Sequence, residues 1–146
     1  MLMNVLIGLA TMAVCLVLQS WLIVVALRYY VRHPVMGDDP TAWETFATLN
    51  AVMVVLVLGN CAQLTIWAIV FRVLGEFDAL EVAVYHSAVN FASLGYGDIV
   101  MSVRFRLLGP LEAVNGVLMI GVSTAVLMTV LQDAYTKTKA ARGGKV

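Results

Sequence analysis

Three long runs of apolar residues, separated by short polar segments, dominate the chain. The first run covers residues 1–27 and the second covers residues 45–71, and neither contains Asp, Glu, Lys or Arg. The third run, residues 113–132, is uncharged as well. A helix needs about 20 apolar residues to cross the ~30 Å hydrocarbon core of a bilayer. The pattern therefore predicts three transmembrane helices.

A shorter apolar stretch lies between the second and third runs. Glu76, Asp78 and Glu81 stand at its start, and residues 82–91 are mostly apolar. A helix here would have about 15 residues and a length of roughly 22 Å, which is too short to cross. The acids suit a helix N-terminus, and the C-terminal end would point its negative dipole into the membrane. We predict a re-entrant helix over residues 77–92.

The connector after the first run contains prolines and a glycine, which interrupt helices. Two sequences in it suit a new helix start: Thr41 with Glu44 as a capping box, or Asp39 with Pro40 in the first turn. The pattern does not choose between them, and both place the start near residue 40.

These boundaries divide the chain into three parts. Residues 1–45 hold an additional N-terminal helix with its connector, and residues 133–146 form a short basic tail. The central part, residues 46–132, contains an outer helix (46–72), the re-entrant helix (77–92), a loop (93–98) and an inner helix (107–132).

Composition narrows the class of protein. The chain is 62% hydrophobic and 12% charged, whereas a soluble domain carries about 25% charged residues. We therefore expect lipid, not water, to surround most of the protein surface. Little of the chain remains for a soluble ligand-binding domain. The net charge of zero argues against a nucleic-acid partner. Cys15 and Cys61 lie in apolar runs and are interpreted as core residues.

The distribution of positive charge predicts the orientation. Arg28 and Arg32 follow the first run directly, and the tail after Gln132 holds four cations against one acid, Asp133. Positive charge near a span marks its cytoplasmic side. We therefore expect a multi-pass protein of the plasma (cell inner) membrane, with a cytoplasmic C-terminus and an outside N-terminus. The segment between spans two and three begins and ends outside.

A glycine-containing sequence follows the re-entrant helix: Ser93-Leu94-Gly95-Tyr96-Gly97-Asp98. Non-helical backbone at membrane depth is tolerated only where protein buries it or it lines an aqueous path. Gly95 and Gly97 adopt backbone angles that other residues resist. Rings of backbone carbonyls can replace the hydration shell of potassium. Because one chain supplies one such strand, a ring requires several copies.

Residues 46–132 resemble the pore region of the potassium channel family, whose usual filter is Thr-Val-Gly-Tyr-Gly, commonly followed by Asp. The resemblance implies an all-α integral membrane protein with three transmembrane helices, a re-entrant pore helix and a selectivity filter. It implies assembly as a four-fold homotetramer in the lipid bilayer and passive conduction of potassium. No enzyme activity is expected, and no cofactor apart from the permeant potassium ion.

The resemblance assigns ion coordination to the filter. Potassium would be bound by the carbonyls of Ser93, Leu94, Gly95 and Tyr96, with the Ser93 hydroxyl at the innermost site, and Gly97 would let the outer mouth turn. Two residues depart from the family pattern, since Ser93 replaces Thr and Leu94 replaces Val. These departures leave a weakly selective monovalent cation channel as an alternative. A non-conducting accessory subunit is another.

Residues behind the filter have implied supporting roles. Asp98 would lie behind the outer mouth, where Tyr85 could donate a hydrogen bond to it. His86 could titrate near neutral pH and make the mouth acid-sensitive. Both aromatic residues could instead be packing residues of the pore helix. Val89 stands where some relatives have a buried carboxylate.

The inner helix offers Gly121 and Gly116 as possible gating hinges, although glycine in a membrane helix more often marks close packing. No span carries regularly spaced arginines, so we expect no voltage sensor. The first helix is expected to pack on the periphery.

Buried amides are expected to bond between helices: Asn60, Gln63, Asn115. Arginines near the outer face are expected to pair with acids or reach lipid headgroups: Arg72, Arg104 and Arg106 with Glu76, Asp78, Glu81 or Glu112.

Overall fold

The computed structural model describes residues 1–32 and 42–143, and all regular secondary structure among them is helical. Four helices follow in order: α1 (Leu2–Arg32), α2 (Ala42–Val73), α3 (Leu80–Phe91) and α4 (Leu108–Gly143). The all-helical fold is therefore confirmed. Both alternatives for the start of the second helix involve residues outside the described part of the chain.

Three of the four helices are long and apolar enough to cross a membrane: Leu2–Arg32, Thr45–Val73 and Leu108–Lys139. Their outward faces carry large apolar side chains such as Val17, Leu58 and Val117, each more than half exposed. Cys61 is also exposed, unlike the buried Cys15, so only one of the two cysteines lies in the core. The exposed apolar surface suits lipid contact, because a soluble protein covers such faces.

Several helix boundaries differ from the predicted ones. α3 begins at Leu80 instead of residue 77, so the three acids lie in or just before its first turn. α4 continues to Gly143, well past residue 132. Asp133 supports this extension, because it pairs with Lys137 at 2.6 Å one turn later and accepts a hydrogen bond from Tyr30 at 2.7 Å. The segment predicted as a tail thus continues the helix.

α3 is held against α2 by a cluster of rings. Phe71 of α2 packs against Trp67 with ring centroids 5.8 Å apart, and against the His86 ring of α3 at 5.6 Å. Phe77, in the loop between these helices, lies 5.0 Å from the same His86 ring. Since Trp67 and Phe71 are fully buried, this cluster fixes the height of α3 within the bundle.

α1 packs against both α2 and α4, and polar contacts tie it to the α4 side at three heights. Asn4 donates to the Arg104 carbonyl just before α4 at 2.5 Å, and Tyr30 bonds Asp133 near the other end. Between them, Gln19 donates to Ser123 at 3.0 Å. The first helix is therefore attached along its whole length.

The middle contact belongs to a relay across three helices. Gln63 of α2 donates to the Gln19 side-chain oxygen at 2.7 Å, Gln19 donates to Ser123, and the Ser123 hydroxyl donates to the Met119 carbonyl at 2.8 Å. Gln63 therefore bonds between helices as expected. The buried side-chain oxygen of Asn60 has no hydrogen-bond partner among the described residues, so an interhelical bond of this amide stays a prediction.

Candidate functional site

The loop that leads into the site begins at a well-defined helix end. At the C-terminus of α2, Gly75 has φ +76°, its N–H bonds the Arg72 carbonyl at 3.1 Å, and the Glu76 N–H bonds the Phe71 carbonyl at 3.1 Å. This pair of bonds is the Schellman motif, in which a left-handed residue, usually glycine, closes the helix. The motif turns the chain sharply away from α2 and brings Glu76 toward the loop after the filter.

The C-terminus of α3 repeats the motif with a serine. The Ser93 N–H bonds the Asn90 carbonyl at 2.8 Å, and the Leu94 N–H bonds the Val89 carbonyl at 2.9 Å. Ser93 takes the left-handed position with φ +57°. A left-handed residue that is not glycine costs about 1–2 kcal/mol, and a β-branched residue fits worse there. Serine therefore suits this backbone better than the family's usual threonine.

The segment predicted as the filter, residues 93–98, follows and alternates between positive and negative φ. Gly95 has φ +58° and Gly97 has φ +73°, whereas Leu94 and Tyr96 have negative φ. Every second residue from 93 to 97 therefore has a left-handed backbone: Ser93, Gly95 and Gly97. Alternation of this kind can turn successive peptide groups to the same side of a strand. The Leu94 and Tyr96 side chains are 54% and 66% exposed, so one chain leaves the strand largely uncovered.

The outer end of the filter is held by a side chain of α3. The Tyr85 hydroxyl donates to an Asp98 carboxylate oxygen at 2.6 Å, which is the hydrogen bond expected from the sequence. This bond lowers the pKa of Asp98 and raises the pKa of Tyr85, since it stabilises the ionised acid and the neutral phenol. Both shifts favour the same state of the pair at neutral pH.

His86 holds the next residue of the loop. The ring is buried, its Nδ1 lies 3.0 Å from the Ile99 carbonyl oxygen, and its Nε2 lies 2.8 Å from the Asn90 amide nitrogen. A carbonyl only accepts, so Nδ1 carries the hydrogen and Nε2 accepts from Asn90. Protonating Nε2 would require the Asn90 amide to rotate. Burial also lowers the pKa of His86, so the surroundings favour the neutral ring.

Glu76 makes a third attachment that the sequence did not predict. One carboxylate oxygen accepts the Ser102 backbone N–H at 2.7 Å, and the other accepts the Ser102 hydroxyl at 2.6 Å. The loop after the filter is thus tied to the end of α2. The 26 residues that separate the partners hide this pairing from any local sequence pattern.

The two candidate hinge glycines differ in their surroundings. A Cβ atom on Gly116 would lie 2.0 Å from the Phe91 carbonyl oxygen at the end of α3, whereas a Cβ on Gly121 would meet nothing within 4 Å. Gly116 thus lets α4 approach the end of α3 closely, which is the packing role of glycine in membrane helices. No packing contact in the described chain accounts for Gly121, and its hinge role stays a prediction.

The expected ion pairs of the outer arginines do not form among the described residues. Glu76 bonds Ser102, the buried Glu112 bonds Ser87 of α3, and the Arg104 guanidinium lies 4.9 Å above the Phe105 ring. Glu112 was expected as a possible ion-pair partner of an outer arginine, and its burial was not predicted. Its spacing of three residues from Asn115 places both on one helix face, and that spacing is the signal that could have indicated a buried polar site.

Comparison with known protein families agrees with this geometry. A family model described as "Ion channel" matches residues 54–133, more than half of the chain. The match begins in α2, includes α3 and the filter strand, and ends in α4. Searches of the curated proteins and of the solved structures found no match. The chain therefore belongs to the ion channel family, a result consistent with the potassium channel pore domain that its sequence resembles.

Proposed function

We propose that the chain is one subunit of a homotetrameric channel that conducts potassium passively across a cell membrane. The observation that carries this proposal is the alternating backbone of residues 93–97, an exposed strand between a short helix and a membrane-spanning helix. Backbone carbonyls are the ligands that potassium channels offer to a dehydrated ion. In this proposal the ion is bound by the carbonyls of Ser93, Leu94, Gly95 and Tyr96 and by the Ser93 hydroxyl.

A ring of four strands is required because one strand supplies carbonyls from one side only. The exposed Leu94 and Tyr96 side chains would then be covered by neighbouring copies. The helix order also fits a pore, since α3 ends at the filter and aims its negative dipole end toward the place where a cation would rest. We assign no catalytic role, and the permeant ion is cargo rather than a cofactor.

The proposed orientation places the C-terminal end of α4 in the cytoplasm. Lys137 and Lys139 lie near that end, and Arg28 and Arg32 lie at the end of α1, so both cationic ends share one side of the bundle. Positive charge favours the cytoplasmic side. The loop that contains Asp98 and Ser102 would then face the outside of the plasma (cell inner) membrane.

The degree of selectivity is the point on which a second candidate function differs. Ser93 and Leu94 depart from the family's usual filter, and the left-handed backbone at Ser93 changes how the innermost carbonyl is presented. A weakly selective monovalent cation channel follows if that site is held loosely. The reversal potential in mixed potassium and sodium separates the two, because a selective pore follows the potassium gradient.

The purified protein reconstituted in liposomes provides the test. We expect potassium flux that barium blocks and a reversal potential close to the potassium equilibrium value. A reversal potential near zero in a strong gradient indicates the weakly selective channel. Absence of barium-sensitive flux contradicts both and indicates a non-conducting accessory subunit.

A matched pair of glycine variants connects the flux to the filter. Gly95 and Gly75 both have positive φ, and a Cβ on either would meet nothing within 4 Å. Each Gly→Ala change therefore carries a similar backbone cost of about 1–2 kcal/mol. We expect Gly95→Ala to abolish potassium flux and Gly75→Ala to retain it. Selective flux through the Gly95→Ala protein would refute the filter assignment.

A further inference from the structure

Glu112 is the one buried acidic side chain among those that the structure describes. It lies in the first turns of α4, on the side that faces α3, and it is fully shielded from solvent. No described lysine or arginine forms an ion pair with it. An isolated carboxylate in such a place costs several kcal/mol of desolvation. The burial of Glu112 must therefore be explained without a positively charged partner.

The hydrogen-bond partners of Ser87 supply this explanation. The Ser87 hydroxyl oxygen lies 2.6 Å from the Leu64 carbonyl oxygen of α2 and within hydrogen-bond distance of the Glu112 carboxyl. A serine hydroxyl has one hydrogen to donate. If Glu112 were ionised, both neighbours would be acceptors, and one of the two short contacts would be repulsive. If Glu112 is protonated, both contacts become hydrogen bonds.

The remaining neighbours add no positive charge. On α1 the titratable group is the Cys15 thiol, and on α3 it is His86, which reaches Glu112 only through Asn90. α2 contributes the uncharged Trp67, whose indole N–H meets no strong acceptor. The Asn90 amide of α3 can donate a hydrogen bond to the carboxyl, but neither it nor the Cys15 thiol carries a positive charge that would neutralise an anion.

The second carboxyl oxygen points to the same state. Glu112 Oε2 is buried and has no hydrogen-bond partner, and neither polar atom of the Asn115 amide, one turn along α4, has a strong one. Leaving a formal negative charge unpaired in such a pocket costs far more than leaving the carbonyl oxygen of a neutral acid unpaired. The hydrogen bonds of this layer therefore favour a neutral Glu112 over an ionised one.

We propose that Glu112 is a proton-binding site whose bound proton joins α4 to α2 through the pore helix. The Glu112 O–H donates to the Ser87 hydroxyl oxygen, and the Ser87 O–H donates to the Leu64 carbonyl. Removing the proton converts a continuous chain of two hydrogen bonds into one bond and one repulsive contact. The packing of α3, and with it the base of the filter, then depends on the protonation of a residue outside the filter.

Infrared spectroscopy of the purified protein tests the proposal without any measurement of ion flux, so it succeeds or fails independently of the proposed function. At neutral pH we expect a carbonyl stretching band of a protonated carboxylic acid. Glu112→Gln should remove this band, whereas Glu81→Gln, which alters an exposed acid, should retain it. Absence of the band from the wild-type protein at neutral pH overturns the proposal.

Ser87→Ala distinguishes the proposed chain from simple burial of an acid. Removing the serine hydroxyl leaves the Glu112 proton without its acceptor, so the band should shift to higher frequency. An unshifted band means that the proton is not shared with Ser87, and it overturns the proposal. Because this experiment uses the wild-type band as its reference, it remains decisive even if Glu112→Gln does not fold.

The pH dependence of stability gives a second readout. We expect the melting temperature of the wild-type protein to fall as pH rises from neutrality toward about 10, where tyrosine begins to ionise. The Glu112→Gln protein should lack this decline, because its amide N–H can donate to Ser87 at any pH. Equal declines in the two proteins contradict a proton held at Glu112.

Discussion

The two ends of the filter strand are held in different ways. At the inner end, Ser93 and Leu94 are attached by backbone hydrogen bonds to α3, only a few residues earlier in the chain. At the outer end, side chains attach the loop: Tyr85 bonds Asp98, His86 bonds Ile99, and Glu76 bonds Ser102. The inner end is thus an extension of the α3 C-terminus, whereas the outer end is positioned by side chains from the middle of α3 and by Glu76 beyond the end of α2. Disturbing the C-terminal end of α3 should therefore affect the inner end more strongly.

The largest effect is expected from Gly116→Ala, which displaces the support of the inner end. The new Cβ would lie 2.0 Å from a backbone oxygen of Phe91, so α3 or α4 must move as a unit. Overpacking of this kind costs about 1–3 kcal/mol and occasionally more. We expect a lower melting temperature and a loss of potassium flux of at least about tenfold.

Gly121→Ala is the matched control for packing, since its Cβ would meet nothing within 4 Å. Alanine improves helix propensity by about 1 kcal/mol, so the melting temperature should not fall. Equal destabilisation by the two variants would contradict the packing role of Gly116. The flux through Gly121→Ala tests the hinge prediction separately.

Breaking the outer end should have a smaller effect. Tyr85→Phe removes the hydrogen bond to Asp98 and leaves the backbone attachment of Ser93 intact. We expect the protein to assemble normally and the sustained potassium flux to fall about several-fold, because one hydrogen bond to a charged group is lost. Tyr135→Phe, which alters an exposed tyrosine of α4, should leave the flux unchanged. A loss as large as that of Gly116→Ala would show that the outer bond governs the whole strand.

Glu76 allows the outer end to be weakened in two steps. Glu76→Gln can preserve both contacts, because its amide oxygen can accept the Ser102 N–H while its amide nitrogen donates to the Ser102 hydroxyl. Glu76→Ala loses both contacts, at a cost of about 1 kcal/mol each. We therefore expect thermal unfolding to shift clearly for alanine and little for glutamine. Equal shifts would show that the carboxylate charge matters more than the two bonds.

Ser93→Gly should remove the backbone cost of a left-handed serine at the inner end of the strand. Glycine takes φ +57° without the penalty that serine has, so a stabilisation of about 1 kcal/mol is expected. The same change removes the hydroxyl assigned to the innermost ion site. A raised melting temperature together with weaker barium block would support both assignments, whereas a lowered melting temperature would contradict the left-handed backbone at this position.

The smallest effect concerns the pH dependence of the outer end. The pKa of Asp98 is lowered by Tyr85, so its contribution is complete above the ordinary value of about 3.9 and is lost as pH falls through the lowered one. The pKa of Tyr85 is raised, so its contribution is complete below about 10 and is lost as pH rises through the raised value. Between these limits, the wild-type and Tyr85→Phe proteins should show parallel pH profiles of thermal stability.

Much of the architecture could be predicted because its causes are local. The apolar runs predicted the three membrane-spanning helices. The short apolar stretch before the glycines predicted α3, a helix too short to cross the membrane. The bond between Tyr85 and Asp98 was expected from the resemblance to the potassium channel family, and the structure contains it. The Ser93 backbone was not predicted, because a serine in the left-handed position of a helix end has no composition signal.

Contacts between distant segments could not be predicted. Asn4 bonds the Arg104 carbonyl across 100 residues, and Gln19 bonds Ser123 across 104. These pairs depend on the rotation and height of α1 against α4, which hydrophobicity leaves undefined because all faces of these helices are largely apolar. For the same reason Glu112 was expected to pair with an outer arginine, although the structure buries it against Ser87.

The sequence alone predicts three membrane-spanning helices, a helix too short to cross between the last two, and a glycine-containing segment after it. Those features follow from side-chain hydrophobicity, helix length and the conformational freedom of glycine, which act over a few residues. The structure was needed to show how α1 is attached, that Glu76 holds the loop after residue 98, and that Glu112 of α4 lies behind α3. These depend on hydrogen-bond geometry between helices, and a shift of one residue in their register would change every partner.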